Sequence, residues 1–427
     1  MVAAAIALVG DALAASTIWT IQNSPSVTLP APRSGRCPAS LLPDAWNTSD
    51  RTGIAMKHSR YLTTGVAAAA LTILGSVPSA QASVPAGWRV VFSQRGLAPG
   101  GGLGGLTTTG PGDAWAVGFV SAARGGHSVV LRWRSGRWST VRLPALPGQG
   151  PVLDAVGASS PTNVWAQGTT LLHPSIGQWT ELTLHWDGRS WKVSTRGSFM
   201  DPEFVYRVLA LGPRDVWSFG ENGSGPFLPF ARHFDGTRWR DVSVPGFIVG
   251  VSALSARDIW GAGAVDGHAG PVPAIMRWTG RRWRVVARPQ IRGAAGNAAG
   301  FDAVAALSDR NVWAAGSFDT RNGVVHPVVL HFNGTGWRQF DLGSENSVLF
   351  QIVPDGLGGL WASDNNGNFF HFSHGRWTRI PAPRRAGYAT EITALVHIPR
   401  TSSLWSTALL SSRTTAPVIG EILKFGR

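Results

Sequence analysis

The sequence predicts an all-β fold, a seven-bladed β-propeller of four-stranded antiparallel blades in which the N-terminal strand completes the last blade and closes the ring. Three observations lead there. Seven tryptophans, Trp115, Trp165, Trp217, Trp260, Trp313, Trp361 and Trp405, recur 50, 52, 43, 53, 48 and 44 residues apart, a spacing that suits four short strands per repeat. Six of them are followed by an aromatic residue and, five positions later, by a tryptophan: Trp133/Trp138, Trp186/Trp191, Phe234/Trp239, Trp278/Trp283, Phe332/Trp337 and Phe372/Trp377. Behind the seventh, Phe425 has no such partner before Arg427, and at the other end Trp88 stands without a leading aromatic. A repeat unfinished at both ends predicts a ring.

The second repeat shows each element in turn. Residues 152–159 (VLDAVGAS) alternate apolar and small residues and read as an inner strand. Ser160-Pro161-Thr162 is a polar turn, and NVWAQG (163–168) is the second strand. TLHWDGRSWKV (183–193) is a hairpin of third and outer strands around the tight turn signal Asp187-Gly188. The third-to-outer turn keeps one length throughout. Length varies between second and third strands, and between one repeat's outer strand and the next inner strand. Both of these connections emerge on the same face of a meander, so that face carries the variable loops, where binding is expected. The glycine-rich GGGLGGL (100–106) reads as a turn and linker into the first inner strand. The last repeat offers only EITALVHI (391–398), LWSTAL (404–409) and GEILKF (420–425). Gly87-Trp88-Arg89-Val90-Val91 matches the outer-strand pattern of Gly136-Arg137-Trp138-Ser139-Thr140-Val141. The first strand should therefore pair with the last blade and leave no edge open between the ends.

Residues 56–82 read as a secretory signal peptide. Lys57 and Arg60 lead an apolar stretch from Leu62 to Val77, and Ala80-Gln81-Ala82 has the small-x-small form of a cleavage site. An internal signal makes little sense for export, so translation is expected to begin at Met56, with residues 1–55 a disordered upstream extension. The alternative is a genuine extension with Met1–Ala15 as an apolar anchor. No Arg-Arg pair precedes the apolar stretch, which favours general secretion over the twin-arginine route. The propeller would then occupy residues 83–427, secreted and either free or held non-covalently on the cell wall.

Cys37, the single cysteine, precedes that signal. A mature chain without cysteine excludes disulfides, thiolate catalysis and Cys-ligated metals. Nothing after the signal is apolar enough to span a membrane. Of the formal charge of +14, residues 1–82 hold five Lys/Arg and three Asp/Glu, which leaves +12 on the rest. Such a surface attracts polyanions over a Debye length of about 8–10 Å, among them acidic polysaccharides and anionic wall polymers. No Lys/Arg run exceeds two residues, so no dedicated nucleic-acid patch is expected. No nucleophile elbow, HExxH helix or phosphate-cradling loop occurs. Neither metal nor cofactor is expected, and the protein is expected to be a monomer.

With elements such as NVWAQG (163–168), DVWSFG (215–220) and HWDGRSW (185–191), the chain from about residue 85 to 427 resembles the seven-bladed propellers with Asp-Val-Trp-Ala-x-Gly and His-Trp-Asp-Gly-x-x-Trp repeats common in secreted actinobacterial proteins. It is more loosely similar to kelch and WD-type propellers. The resemblance implies architecture and little about activity, because propellers host many unrelated functions. The Ser-x-Asp-x-Gly-x-x-Trp box of sialidase-type propellers is absent, and a copper-radical oxidase would need a Cys-Tyr crosslink that the mature chain cannot make.

Seventeen of the eighteen tryptophans after residue 82 fall at repeat positions and read as wedges between blades. Trp179 alone is out of register, in or near the second blade's variable loop, and is the candidate stacking aromatic for a ligand. A basic residue precedes the third-strand aromatic in all seven repeats: Arg132, His185, His233, Arg277, His331, His371 and Lys424. Equivalent positions radiate around a ring, so these residues are expected to hydrogen-bond Asp113, Asn163, Asp215, Asp258 and Asn311, two before the leading tryptophans, rather than to share a metal. The inner strands begin near the central channel. There Asp154, Tyr206, Arg207, Asp302, Gln351 and Glu391 are the candidates for ligand binding, and Asp154, Asp302 and Glu391 are candidate catalytic acids. Glu203, Glu221, Asp364 and Arg385 read as variable-face loop residues without a spacing signature. The expected function is a non-catalytic binding or scaffold protein recognising a glycan, an anionic wall polymer or a protein. The alternatives are a carbohydrate-active enzyme, a glycoside hydrolase or polysaccharide lyase, with acids at the channel mouth, and a purely structural spacer.

Overall fold

The computed structural model describes residues 87–97, 101–120, 126–199, 203–222, 228–268, 270–412 and 418–426. The expected upstream extension (1–55) and signal peptide (56–82) lie outside them. The described residues form seven four-stranded antiparallel sheets, each running in chain order from inner to outer strand except the last. Blades one to seven begin with the inner strands Gly102–Gly110, Gln149–Ser160, Glu203–Gly212, Phe247–Ser255, Ala299–Ser308, Leu349–Pro354 and Tyr388–His397. The outer strand of blade seven is Trp88–Leu97, which pairs with Val418–Phe425 so that Trp88 faces Phe425 and Arg89 faces Lys424. The ring is closed as predicted.

The constant aromatic spacing is a cross-strand pair. Trp133 faces Trp138, Trp186 faces Trp191, Phe234 faces Trp239, Trp278 faces Trp283, Phe332 faces Trp337 and Phe372 faces Trp377. Trp88 and Phe425 make the seventh pair across the chain ends. In the second hairpin Gly188 takes φ +93°, a value that favours glycine. Asp187 accepts the N–H groups of Arg189 and Ser190.

Each leading tryptophan is buried and wedges into the aromatic pair of a neighbouring blade. Trp115 meets Trp186 and Trp191, Trp165 meets Phe234 and Trp239, and Trp217 meets Trp278 and Trp283. Trp260 packs in one core with Phe332 and Trp337, and Trp313 meets Phe372 and Trp377. Trp361 meets Trp88 and Phe425, and Trp405 meets Trp133 and Trp138, which carries the pattern through the closure. The core is thus a series of seams between blades.

The basic residues stack on these tryptophans: four histidines at ring distances of 3.9–4.5 Å, with Arg132, Arg277 and Lys424 in cation–π contact. Arg132, His185, His233, Arg277 and His331 make the five expected hydrogen bonds to Asp113, Asn163, Asp215, Asp258 and Asn311. His371 instead bonds Asp355, which stands further ahead of Trp361. The two elements that differ from the sequence reading are both at the variable face. The segment 100–106 is not a linker, since the first inner strand already runs from Gly102. Blade two takes up its extra length by extending its second and third strands to Asn163–His173 and Gln178–Trp186 rather than by a long loop.

Candidate binding site at the channel mouth

Each inner strand carries two apolar residues three apart: Leu103/Leu106, Leu153/Val156, Val205/Val208, Ile248/Val251, Phe301/Val304, Leu349/Ile352 and Ile392/Leu395. Both members of a pair pack into the same inter-blade core. Strict alternation would put residues three apart on opposite faces. The conflict is resolved by a β-bulge between the members in all seven blades. A bulge leaves one residue unpaired and re-aims its side chain. The unpaired residues are Gly104, Asp154, Tyr206, Val249, Asp302, Phe350 and Thr393, and all seven line one cavity in the central channel.

The cavity measures about 160 Å³. Its wall also includes residues two positions earlier on the inner strands, among them Phe204, Phe247 and Glu391, together with Ser317 at the end of a second strand. These ends lie beside the variable connections, so the cavity opens at the variable face. Gln351 and Arg207 follow the bulges and line both this cavity and a second of about 230 Å³ further along the channel. Elsewhere the residue after the bulge is glycine or alanine, because blades meet there. A Cβ on Gly250 would stand 2.6 Å from Ala303 Cα.

The electrostatics follow from enclosure. By surface area Asp154, Asp302 and Glu391 are only half-buried, because they face channel space, but protein surrounds them. That burial pushes all three carboxyls up to about 7. For Asp302 the nearby Arg207 guanidinium works against the rise. Burial also lowers Arg207, and the charge of Asp302 opposes this. Arg207 donates to Tyr206 O at 2.8 Å and reaches the Phe350 carbonyl of blade six at 3.5 Å, so its guanidinium crosses the channel between the two cavities. Burial raises the Tyr206 hydroxyl well above its ordinary value, and the facing Glu221 carboxylate adds to this.

Asp154, Tyr206, Arg207, Asp302, Gln351 and Glu391 therefore share one cavity wall. Trp179 does not. It stands on the third strand of blade two, opposite Leu171 and Phe199. The sequence reading missed Phe350, Val249, Thr393 and Ser317, although the apolar pairs at three-residue spacing marked the first three. It also took Glu203 for a loop residue. Glu203 begins the inner strand of blade three and is buried, with a two-pronged ion pair of 2.8 Å to Arg232. Arg232 also pairs with buried Glu181 of blade two and lies over the Phe230 ring. Among the described residues no group of three His, Cys, Asp or Glu is placed to hold a metal. No helix among them is long and apolar enough to cross a membrane.

No known protein family matches the chain, and no curated protein matches it. Among solved structures the ring is similar to an ulvan lyase of polysaccharide lyase family PL25 bound to -[GlcA(1-4)Rha3S]-, at 10% identity and a TM-score of 0.51, covering 79% of this chain and 95% of that one. It is also similar to YCF48 from Cyanidioschyzon merolae, at 15% identity and a TM-score of 0.49, covering 80% and 98%. A third is the SapL1 lectin in complex with alpha methyl fucoside, at 14% identity and a TM-score of 0.41, covering 68% and 97%. At such identities the likeness is one of fold. The chain is a seven-bladed β-propeller whose bulges build a cavity at the channel mouth.

Proposed function

We propose that this protein is an exported, non-catalytic binding propeller of the kind found among secreted actinobacterial proteins. Its channel mouth recognises one sugar unit of an extracellular glycan, while the surrounding variable face contacts the rest of that polymer or a protein carrying it. The observation that supports this is the convergence of Asp154, Arg207, Asp302, Gln351 and Glu391 with Phe204, Phe247 and Phe350 on one cavity wall. Phenylalanine rings suit the C–H face of a sugar. Carboxylates, an amide and a guanidinium suit hydroxyls, which both donate and accept. A volume of about 160 Å³ is below the usual 300–1,000 Å³ of ligand pockets, so the cavity admits a single ring and a longer chain lies across the mouth. The net positive charge draws an anionic polymer toward that rim.

Glycan-array binding of the protein tests the reading. The expected result is retention of one glycan class, weakened at least tenfold by Gln351→Ala or Phe350→Ala. No retention, or retention indifferent to both changes, would sink it. A second reading, a glycoside hydrolase or lyase, is favoured by one observation. Carboxyls pushed up to about 7 keep a transferable proton near neutral pH. Product release that Asp154→Asn or Asp302→Asn abolishes would establish that enzyme, and turnover surviving both changes would leave it without its acids.

A further inference from the structure

Two of the three cavity carboxyls have no counter-ion. Asp302 has the Arg207 guanidinium beside it. The side-chain carboxyls of Asp154 and Glu391 make no hydrogen bond or ion pair with any described residue, and both face cavity space. They belong to blades two and seven, the neighbours of blade one, whose inner strand contributes only Gly102 and Gly104 to the wall, with Gly118 and Phe119 of its second strand behind them in the ladder. The missing side chains leave a lane with a carboxyl on each flank. Across the channel, blades three, four and six supply Phe204, Phe247 and Phe350. Ser317 also lines the cavity. It is 2% exposed, and its hydroxyl has no hydrogen-bond partner among the described residues.

We propose that the cavity takes a ligand bearing a protonated amine, held in the glycine lane between Asp154 and Glu391, with the body of the ligand against the phenylalanine wall. This deepens the reading of the same site as a sugar pocket, and for that reading it names an amino sugar with a free amine. The chemistry is complementary on each side. An ammonium group supplies three donors to acceptors that lack them and neutralises charge that the protein leaves uncompensated. Phenylalanine rings offer apolar contact to the uncharged body of the ligand. A carboxylate-bearing sugar would instead meet two like charges. The other titratable groups on the wall are Tyr206, Arg207 and Asp302, with Glu221 behind Tyr206. Of these only Asp302 also carries negative charge into the cavity.

Isothermal titration calorimetry of the protein with glucosamine, glucose, glucuronic acid and phenethylamine decides the matter. At about pH 7, glucosamine is expected to bind at least tenfold tighter than glucose, a difference of about 1.4 kcal/mol. Glucuronic acid is expected to bind weakest. Asp154→Asn with Glu391→Gln should abolish the preference for glucosamine. Phenethylamine keeps its charge well above neutrality, and its affinity should rise between about pH 5.5 and pH 8 as the two carboxyls lose the protons that burial retains. The comparison of ligands uses the unaltered protein, so it stands whether or not the variants fold. Equal binding of glucose and glucosamine overturns the amine proposal and leaves the glycan reading in place. Phenethylamine binding without glucosamine binding does the reverse. Failure of both amines to bind, or a preference that persists in the double variant, also overturns the proposal.

Discussion

A single extra residue in each inner strand decides what the channel contains. Because a bulge side chain is unpaired, its identity is free of the demands that fix its neighbours as leucine, valine, glycine or alanine. That freedom is where the seven repeats differ most in chemistry: glycine, aspartate, tyrosine, valine, aspartate, phenylalanine and threonine. The glycine of the Trp-Ala-x-Gly element is the complement of the bulge. A Cβ on Gly118 would stand 1.9 Å from Gly102 O. Neither backbone can move without breaking the ladder, so Gly118→Ala is expected to cost about 3 kcal/mol, the upper end for overpacking, read from urea unfolding. The carboxyls give a second prediction at this scale. The folded-state pKa of Asp154 lies above the unfolded value, so the folded protein holds a proton that the unfolded chain releases. Stability should therefore fall as pH rises from about 4 to about 7. Asp154→Asn should remove part of that fall and leave the variant more stable than the parent at pH 8 by ~2 kcal/mol, with little difference near pH 4. The figure is about half the full displacement from 3.8 to about 7, because channel water screens the charge. A variant less stable than the parent at both values would contradict the assignment. Which side chains meet in the cavity was half legible in the sequence. Position along the inner strand indicated Asp154 and Glu391. Phe350 was passed over because a phenylalanine in a strand ordinarily reads as core.

At the level of strands and blades, the hairpins were the most legible elements, since turn glycines and paired aromatics act within a dozen residues of each other. The joint between blades two and three was not legible. Glu181, Glu203 and Arg232 come from three strands, and no local pattern announces that they will be buried together. Burial of Glu181 raises its carboxyl while Arg232 holds it down and the Glu203 charge pushes it up, so the arginine is what allows two acids to share the space. Arg232→Ala should destabilise by about 3–5 kcal/mol, because it strands two buried carboxylates. Adding Glu181→Gln and Glu203→Gln should recover much of the loss. If the arginine change alone costs under 1 kcal/mol in a denaturant titration, the joint is not ionic in effect. The tryptophan seams make a parallel case. Trp405 is fully buried and touches both Trp133 and Trp138 of blade one. Trp405→Ala should cost about 3–5 kcal/mol, where a solvent-facing aromatic would cost little.

The whole molecule depends on a closure that local signals could only imply. The sequence left an unmatched Phe425 at one end and an unmatched Trp88 at the other, and the structure joins them with Trp88 stacked at 3.8 Å on Phe369 of blade six. Removal of the chain through Leu97 would expose the Val418–Phe425 edge and strip Trp361 and Phe369 of their cover. Such a truncation is expected to lose the single cooperative unfolding transition and to aggregate through the open edge. A truncated protein that melts sharply near the parent temperature would show that the clasp contributes little. The same clasp sets an order of events. Arg89 bonds the backbone of Gly426 across a sequence separation of 337 residues, and contacts so remote are slow to form because loop entropy is lost before they stabilise anything. Neighbouring blades can build their seams in turn, but the circle cannot lock until the two chain ends meet. A permuted gene with residues 88 and 425 tethered and new ends cut in another turn would turn that last, long-range step into a local one, and should refold markedly faster at similar equilibrium stability.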